Sequence, residues 1–391
     1  MFKHVCRTFG SMRWKDGSSV FCGNRPLMYQ SRRSILLQNY NVEDNNYQFE
    51  REERYRLKNV NITQKLPREE RWQYRRKMTF LQNNIKFPYH RPKHILEYYS
   101  TVALMRLLNM IPLRAALCLG CSIAFVLFHV FRFRVTKSIG RIEAVFGDRY
   151  SPQQRKNIAW LSLRNSVFNI VEMFRLRQFT LRKIMHQPLY SAGEEVLKFY
   201  RHNGPFILAV PHTGSWELGS AVLALSGIPC VVIVKRQKNL LTDALLNQLR
   251  RHVGVEIIYN DSSALKRVIQ STKQGKVLLI LPDNHSRTES PKVEFLGGKA
   301  NLGVGAAFFA RKTGRPIYPI VLFRHGWNRH DCKLFDPIYP DQHLDKDADT
   351  QRMMQQLMTV FDKEIRQHPE QYFWYNKRWV LDPAWNTRRW K

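Results

Sequence analysis

The sequence predicts an α/β fold: a mostly parallel sheet flanked by helices, preceded by an N-terminal membrane-associated helix region. From about residue 205, short β-rich runs alternate with runs of helical periodicity, which is typical of parallel sheets covered by helices. Before them lies a long apolar stretch at residues 99–131. We therefore predict three parts: a basic polar extension, partly disordered, at 1–95; a membrane-associated apolar helix or hairpin at 96–135; and a catalytic domain at 136–385.

The charge of the chain indicates an anionic partner. Its 391 residues include 63 Lys and Arg against 31 Asp and Glu, a net charge of +32. A field of this size recruits nucleic acid, anionic membranes or acidic proteins. The basic excess occurs in the first hundred residues and in the remainder, whereas nucleic-acid tails more often concentrate it in one arm. Because no nucleic-acid-binding motif is recognisable, we expect a membrane surface and keep nucleic acid as an alternative.

The cysteines and the first residues bear on compartment. Six cysteines are irregularly spaced, and Cys118-x-x-Cys121 lies inside the apolar run without further metal ligands nearby. This predicts no metal site, and all six cysteines are compatible with a reducing compartment. The first 30 residues contain no apolar core typical of a secretory signal. We expect the body of the protein on the cytoplasmic side. The extension contains one possible charged helix, at residues 66–79.

The apolar stretch leaves three interpretations open. Residues 115–130 contain only His129 as an ionisable group, and as a helix they span about 24 Å, less than the ~30 Å of a hydrocarbon core. Arg106, Pro112 and Arg114 interrupt the residues before them. A membrane-inserted or interfacial hairpin is favoured over a single span and over a buried core helix. The basic residues that follow favour cytoplasmic placement of the rest.

The order of elements predicts where reactive groups gather. In parallel sheets they collect at the carboxyl ends of the strands. An amphipathic helix at 152–184 precedes the sheet, where apolar residues recur at helical spacing. The sheet region is then predicted as strand 206–210, a helix from Ser215, strand 230–234, helix 240–252, strand 255–259, helix 263–273, strand 277–281, helix 302–312 and strand 317–323.

His212 and Glu217 follow the first strand and form the candidate catalytic pair. On one continuous helix, a spacing of five residues would put them on different faces. They can meet only if His212 lies in the turn and Glu217 in the first turn of the helix, with Gly214 as the joint. An ionised carboxylate on one imidazole nitrogen fixes the tautomer, and the other nitrogen can then accept a proton. We predict His212 as general base and Glu217 as its orienting partner.

The nucleophile has two possible sources. Ser215 would make the protein a serine-dependent lipid hydrolase, but the segment lacks the Gly-x-Ser-x-Gly arrangement of a nucleophile elbow. We favour a hydroxyl group of the substrate. A catalytically silent membrane-interaction protein with the same fold is a further alternative.

Several segments together resemble one protein family. They are His212-Thr213-Gly214-Ser215-Trp216-Glu217; Asn239 to Asp243, with Leu240 where a Pro is usual; Arg250; Leu281-Pro282-Asp283-Asn284-His285, with His285 where a second acid is usual; Gly305 and Arg311-Lys312-Thr313-Gly314; and residues 369–379, with Asn376 for a His. Over about residues 100–380 the chain resembles the bacterial lipid A biosynthesis acyltransferase family, the late acyltransferases that add secondary acyl chains.

The resemblance implies an O-acyltransferase. It would move a fatty acyl chain from acyl-acyl carrier protein to a hydroxyl of a lipid A precursor or similar glycolipid, at the cytoplasmic face of the inner membrane. No cofactor is implied. The acidic carrier protein would suit the basic surface.

Five polar residues are candidates for substrate binding. Basic side chains can bind the phosphates of either substrate, although each could equally belong to a solvated basic face. Asp283 follows a strand, and its alternative is a turn residue. The five candidates are Asn239, Arg250, Asp283, Arg236 and Arg378.

Overall fold

The structure is a computed structural model, and it describes residues 91–185, 188–286, 289–377 and 379–381. Apart from residues 91–95, the predicted extension and the possible helix at 66–79 lie outside this description. Arg378 also lies outside it.

A six-stranded sheet forms the centre of the described region. Its order is β3-β2-β4-β1-β7-β8, and neighbouring strands are parallel except for β7 and β8. This confirms the predicted α/β fold with a mostly parallel sheet. The strands are β1 (Ile207–Ala209), β2 (Cys230–Val234), β3 (Val255–Tyr259), β4 (Val277–Ile280), β5 (Val293–Phe295), β6 (Gly298–Ala300), β7 (Ile317–His325) and β8 (Arg329–Leu334), of which β5 and β6 form a separate hairpin.

Helices precede the sheet and connect its strands. They are α1 (Pro92–Met110), α2 (Leu113–Phe125) with a π-helical continuation (Val126–Val130), α3 (Val135–Phe146), α4 (Pro152–Phe174), α5 (Leu181–Ile184), α6 (Pro188–Asn203), α7 (Trp216–Leu225), α8 (Leu240–His252), α9 (Ala264–Lys273), α10 (Gly305–Thr313) and α11 (Lys346–Gln367). Short 3₁₀ turns occur at Gly147–Arg149, Leu176–Gln178 and Pro369–Gln371.

Both faces of the sheet are buried, each in its own hydrophobic cluster. Successive side chains of a strand point to opposite faces, so Leu208 and Val210 contribute to one cluster, whereas Ile207 and Ala209 contribute to the other. The first cluster includes apolar residues of α6, α7 and α8, and the second includes those of α9, α10 and α11. Burial on both faces explains why these strands are apolar nearly throughout.

The apolar stretch forms helices that are only partly covered. Leu108 of α1 and Leu117 of α2 are buried in the same cluster as Phe168 of α4. The segment Leu113–Val130 is long and apolar enough to cross a membrane, and 28% of it is buried. Large apolar side chains of α1, α2 and the following turn are exposed, namely Leu96, Tyr99, Leu107, Met110, Phe125, Val130, Phe131 and Phe133. The predicted apolar helices are therefore present, and their association with a membrane stays a proposal.

Some elements differ from the sequence prediction. The helix predicted at 152–184 ends at Phe174, where Arg175 turns away and its guanidinium binds the main-chain carbonyls of Leu108 and Ile111. The helix therefore stops at this point, and Arg175 attaches the end of α4 to the junction between α1 and α2. The strand β8, the hairpin β5–β6 and the long helix α11 were not predicted.

Candidate active site

The register of the sheet brings His212 and Asp283 together. Strands β1 and β4 are parallel neighbours in which Ala209 pairs with Ile280. The pairing continues beyond the strands, since the amide of Val210 donates to the carbonyl oxygen of Ile280 at 3.0 Å. Two residues past the Ala209–Ile280 pair, each strand continues with a proline, and a polar residue follows that proline. His212 and Asp283 therefore lie opposite each other.

This point of the sheet is where its connections diverge. The chain leaves β1 for α7 on one face, and leaves β4 by way of β5 and β6 for α10 on the other face. Adjacent parallel strands whose connections go to opposite faces leave a crevice at their carboxyl ends. His212 lies at that crevice.

Asp283 holds His212 through two hydrogen bonds. Its Oδ1 lies 2.6 Å from Nδ1 of the imidazole, and its Oδ2 accepts the main-chain N–H of His212 at 2.7 Å. The Asp283 side chain is fully buried, whereas that of His212 is 15% exposed. Because an ionised carboxylate only accepts hydrogen bonds, Nδ1 carries the proton and Nε2 is left as the basic nitrogen. This geometry corrects the predicted pairing of His212 with Glu217.

Glu217 instead binds Arg250. Its carboxylate accepts from Nε of Arg250 at 2.9 Å and from Nη2 at 2.5 Å, which joins the first turn of α7 to the last turn of α8. Nη1 of Arg250 donates to Asn247 at 2.7 Å. Burial by itself lowers the pKa of Arg250, but the charge and hydrogen bonds of Glu217 outweigh it and raise the pKa. Glu217 is thus held close to the cavity by a permanent cation.

The turn after His212 is fixed on its inner side. Gly214 has φ +54°, and a Cβ there would lie 2.5 Å from the carbonyl oxygen of Leu322 in β7, so no larger residue fits. Ser215 is 1% exposed, and its hydroxyl donates to Glu172 at 2.7 Å. This orientation points Ser215 into the core and does not favour it as a nucleophile.

Residues 372–374, near the carboxyl end of the described region, close the other side of the turn. Thr213 forms a β-bridge with Tyr372, and the amide of Phe373 donates to the carbonyl oxygen of His212 at 3.0 Å. Ser162 of α4 and Arg141 of α3 in turn bind carbonyl oxygens of this segment. Burial, followed by the charge of Asp283, holds the pKa of Tyr372 well above its ordinary value. The surroundings of Asp283 are therefore enclosed.

His212 opens onto a cavity of about 1310 Å³ that is lined by both polar and apolar side chains. The polar lining includes Glu217, Lys235, Arg236, Lys238, Arg250, Asn284, His285, Asn376 and Lys377. The apolar lining includes Leu189, Val196, Leu208, Val222, Leu223, Val232, Phe309, Ile320 and Leu322. A cavity of this kind fits an amphipathic ligand.

The remaining predicted substrate-binding residues, Arg236, Asn239 and Arg378, differ in their position relative to the cavity. Arg236 lines the cavity, and its guanidinium carbon lies 4.0 Å from the centre of the Tyr259 ring. Asn239 is buried: its side chain accepts from the amide of Leu241 and donates to the carbonyl oxygen of His94. These bonds make Asn239 the cap of α8, and its contact with substrate stays a prediction. Arg378 lies outside the described residues.

A polar network that the sequence did not reveal supports the loop after β2. Asp243 accepts from the amide of Gln237 at 2.9 Å and from the hydroxyl of Tyr259 at 2.7 Å. Asn247 also donates to that hydroxyl, at 3.0 Å, and thereby connects the network to Arg250. The loop that carries Lys235, Arg236 and Lys238 is thus anchored to the same helix as the partner of Glu217.

Comparison with known proteins identifies the family of the chain. The family model described as bacterial lipid A biosynthesis acyltransferase matches residues 86–380. The chain belongs to this family. The match extends across α1 and α2, the whole sheet and the segment that closes the turn.

Individual relatives include enzymes with two kinds of name. The chain is similar to lipid A biosynthesis acyltransferase 2 of Shigella flexneri, with 27% identity over 48% of this chain and 60% of that protein. The lipid A biosynthesis myristoyltransferase of Escherichia coli strain K12 is 28% identical over 50% of this chain and 59% of its own length. A phosphatidylinositol mannoside acyltransferase of Mycolicibacterium smegmatis is 21% identical over 45% and 57%. The chain thus spans less than two thirds of each relative.

Proposed function

We propose that the protein is an O-acyltransferase that moves a fatty acyl chain from acyl-acyl carrier protein to a hydroxyl of a lipid A precursor or similar glycolipid. His212 is the general base. The observation that carries this proposal is the His212–Asp283 pair at the crevice of the sheet, with Nε2 left basic beside a cavity lined by both polar and apolar side chains.

The reaction follows from the state of the imidazole. Nε2 of His212 takes the proton of the acceptor hydroxyl as that oxygen attacks the thioester carbonyl of the donor. The carbon–sulfur bond then breaks, the thiolate leaves, and the imidazolium returns its proton to the sulfur. Asp283 keeps its negative charge throughout and stabilises the imidazolium between the two transfers. The acceptor supplies the nucleophile, so no covalent acyl-enzyme is formed.

The two kinds of side chain that line the cavity suit the two parts of the substrates. The apolar lining, which includes residues of β1, α6 and α7, provides surface that an acyl chain can bury; each buried CH₂ contributes about 0.8 kcal/mol. The polar lining includes Lys235, Arg236 and Lys238, whose charges suit the phosphates of either substrate. Glycolipid acceptors fit this lining, because they combine a polar head with acyl chains.

The exposed apolar side chains support a membrane location. They belong to α1, α2 and the turn after α2, where Arg132 and Arg134 follow directly. An apolar surface bordered by basic residues binds anionic lipid surfaces. We place the protein at the inner membrane with the catalytic domain on the cytoplasmic side, where an acyl carrier protein donor is present.

The test uses membranes that contain the full-length protein. They are supplied with acyl-acyl carrier protein carrying a radiolabelled acyl group and, separately, with lipid A precursors and phosphatidylinositol mannosides, and the products are identified by mass. Transfer to a glycolipid by the wild type, lost in His212→Ala, is the expected result. Release of free fatty acid without an acylated lipid would overturn the proposal in favour of a hydrolase, and label on no lipid at all would overturn acyl transfer.

A further inference from the structure

A buried ionic cluster lies directly under the turn that carries His212. It consists of Asn169 and Glu172 of α4, Arg324 of β7 and His330 of β8, and each of these residues is at most 5% exposed. We call it the buried cluster. None of its members lines the cavity described above, so the proposed reaction does not use them directly.

Glu172 is the centre of the buried cluster. Its Oε1 accepts from Nη1 of Arg324 at 2.6 Å and lies 2.9 Å from Nε2 of His330, while its Oε2 accepts from Nη2 of Arg324 at 2.7 Å. Burial by itself raises the pKa of Glu172, but the charges of His330 and Arg324 and their hydrogen bonds hold the pKa well below its ordinary range. Glu172 is therefore an ionised carboxylate at neutral pH.

Two side-chain hydrogen bonds join the buried cluster to the turn, and Arg324 also donates to the carbonyl oxygen of Trp327 at 2.8 Å. The hydroxyl of Ser215 donates to Oε2 of Glu172 at 2.7 Å. Nδ2 of Asn169 donates to the carbonyl oxygen of Gly214 at 2.6 Å, while Oδ1 of the same amide accepts from Arg324 at 2.6 Å. Arg324 therefore fixes the orientation of Asn169, and Asn169 fixes the peptide that follows Gly214. The contacts reach the second and third residues after His212.

We propose that Glu172 and Asn169 are positioning residues that set the orientation of His212 through Ser215 and Gly214. This rests on the proposed function. Asp283 fixes the imidazole from the strand side, and the amide of Phe373 holds the carbonyl oxygen of His212. The bonds from Asn169 and Glu172 hold the two residues that follow, Gly214 and Ser215. Misplacement of a reacting group by about 1 Å can cost about 100-fold in rate. A buried ion pair is by itself weak evidence for stability. The two bonds to Gly214 and Ser215 favour a positioning role for the buried cluster.

The substitutions are graded so that folding does not decide the result. Ser215→Ala and Asn169→Ala each remove one outward bond and leave the Glu172–Arg324 pair intact. Glu172→Gln keeps the shape but removes the charge. We expect kcat to fall about 10-fold in the two alanine variants and about 100-fold in Glu172→Gln, with the KM of donor and acceptor within about two-fold of wild type. Should Glu172→Gln fail to fold, the two alanine variants decide.

Asp349→Asn is the matched control. Asp349 is also a fully buried carboxylate held by two arginines, Arg311 and Arg352, each at 2.5 Å. These contacts join α10 to the start of α11 and do not involve the turn. We expect a lower melting temperature with an unchanged kcat. If Asp349→Asn lowers kcat as much as Glu172→Gln at a matched loss of melting temperature, the buried cluster is merely structural.

A second measurement does not depend on acyl transfer. Amide hydrogen exchange of the segment 211–218 should become about 10-fold or more faster in Ser215→Ala and Asn169→Ala, and stay at the wild-type rate in Asp349→Asn. If the wild type transfers no acyl group, the proposed function fails, but hydrogen exchange still tests whether the buried cluster holds the turn. Unchanged exchange, or an unchanged kcat in folded variants of an active enzyme, would overturn the positioning role.

Discussion

Two carboxylates near the same cavity have partners of different kinds. Asp283 meets an imidazole, which can accept and release a proton, whereas Glu217 meets the guanidinium of Arg250, which is always protonated. The Asp283 side chain is fully buried and that of Glu217 is 12% exposed. This difference supports the proposed base chemistry for the first pair and favours a role in shape and charge for the second, although His212 and Glu217 both lie near the start of α7.

Removal of His212 should have the largest effect. His212→Ala takes away the only member of the two pairs that we expect to change its protonation state. Loss of a general base typically costs about 10²–10⁴-fold. We expect kcat to fall within that range while the circular dichroism spectrum and membrane binding stay as in the wild type. Activity within a few-fold of the wild type would show that the proton goes elsewhere.

Substitution of Asp283 should rank second and depend on His212. Asp283→Asn keeps the shape but allows the imidazole to take the wrong tautomer, so kcat should fall by about 10²-fold. Added to His212→Ala, it should cost nothing more, because the two residues act as one unit. The double-mutant cycle measures this. Independent, multiplying losses would separate Asp283 from the base.

The Glu217–Arg250 pair should form a unit of its own. Glu217→Gln and Arg250→Gln should each lower kcat/KM about 10-fold, since either change leaves a buried partner without its counter-charge. The double variant should lose no more than either single variant, whereas Glu217→Gln combined with Asp283→Asn should multiply the two losses. If Glu217→Gln is instead coupled to His212→Ala, the comparison drawn above is wrong and Glu217 acts on the imidazole.

Arg236, which belongs to neither pair, should give the smallest effect. It is exposed, lies over the Tyr259 ring and is one of the polar side chains that line the cavity. Arg236→Ala should raise the KM of a phosphate-bearing substrate about three-fold to 10-fold and leave kcat unchanged, because an exposed contact with phosphate contributes about 1 kcal/mol. Arg236→Lys should retain most of the affinity. A fall in kcat with unchanged KM would move Arg236 from binding to chemistry.

The sequence predicted the sheet and the place of His212, because both depend on local patterns. Alternation of apolar strands and helices is visible in any window, and the turn after the first strand needs only Gly214 and its neighbours. The partner of His212 could not be read in this way. It depends on the pairing of Ala209 with Ile280, which joins strands 71 residues apart. One signal was present: Pro211-His212 and Pro282-Asp283 end two strands in the same way.

Other differences have similar physical causes. Asn239 was predicted from its motif to bind substrate. Its side-chain amide also donates to the carbonyl oxygen of His94, a contact that no local pattern encodes. Asn169 and Glu172 offered a clearer hint, since they share one face of α4 with Ser162 and Asn165 at helical spacing. Polar groups on such a face must find partners when the helix is buried. Helix α11 was missed although Met354, Leu357 and Phe361 follow helical spacing.

The segment that closes the turn is synthesised long after the turn itself. His212 is synthesised about 160 residues before Phe373, whose amide binds its carbonyl oxygen. At about 5–20 residues per second on the ribosome, roughly ten to thirty seconds separate the two. The last strand of the sheet, β8, ends at Leu334, about 40 residues before Phe373. A chain interrupted between these two residues would have every strand of the sheet but not the bond that holds the His212 turn, so we expect catalysis to begin only after nearly the whole of the described region has been translated.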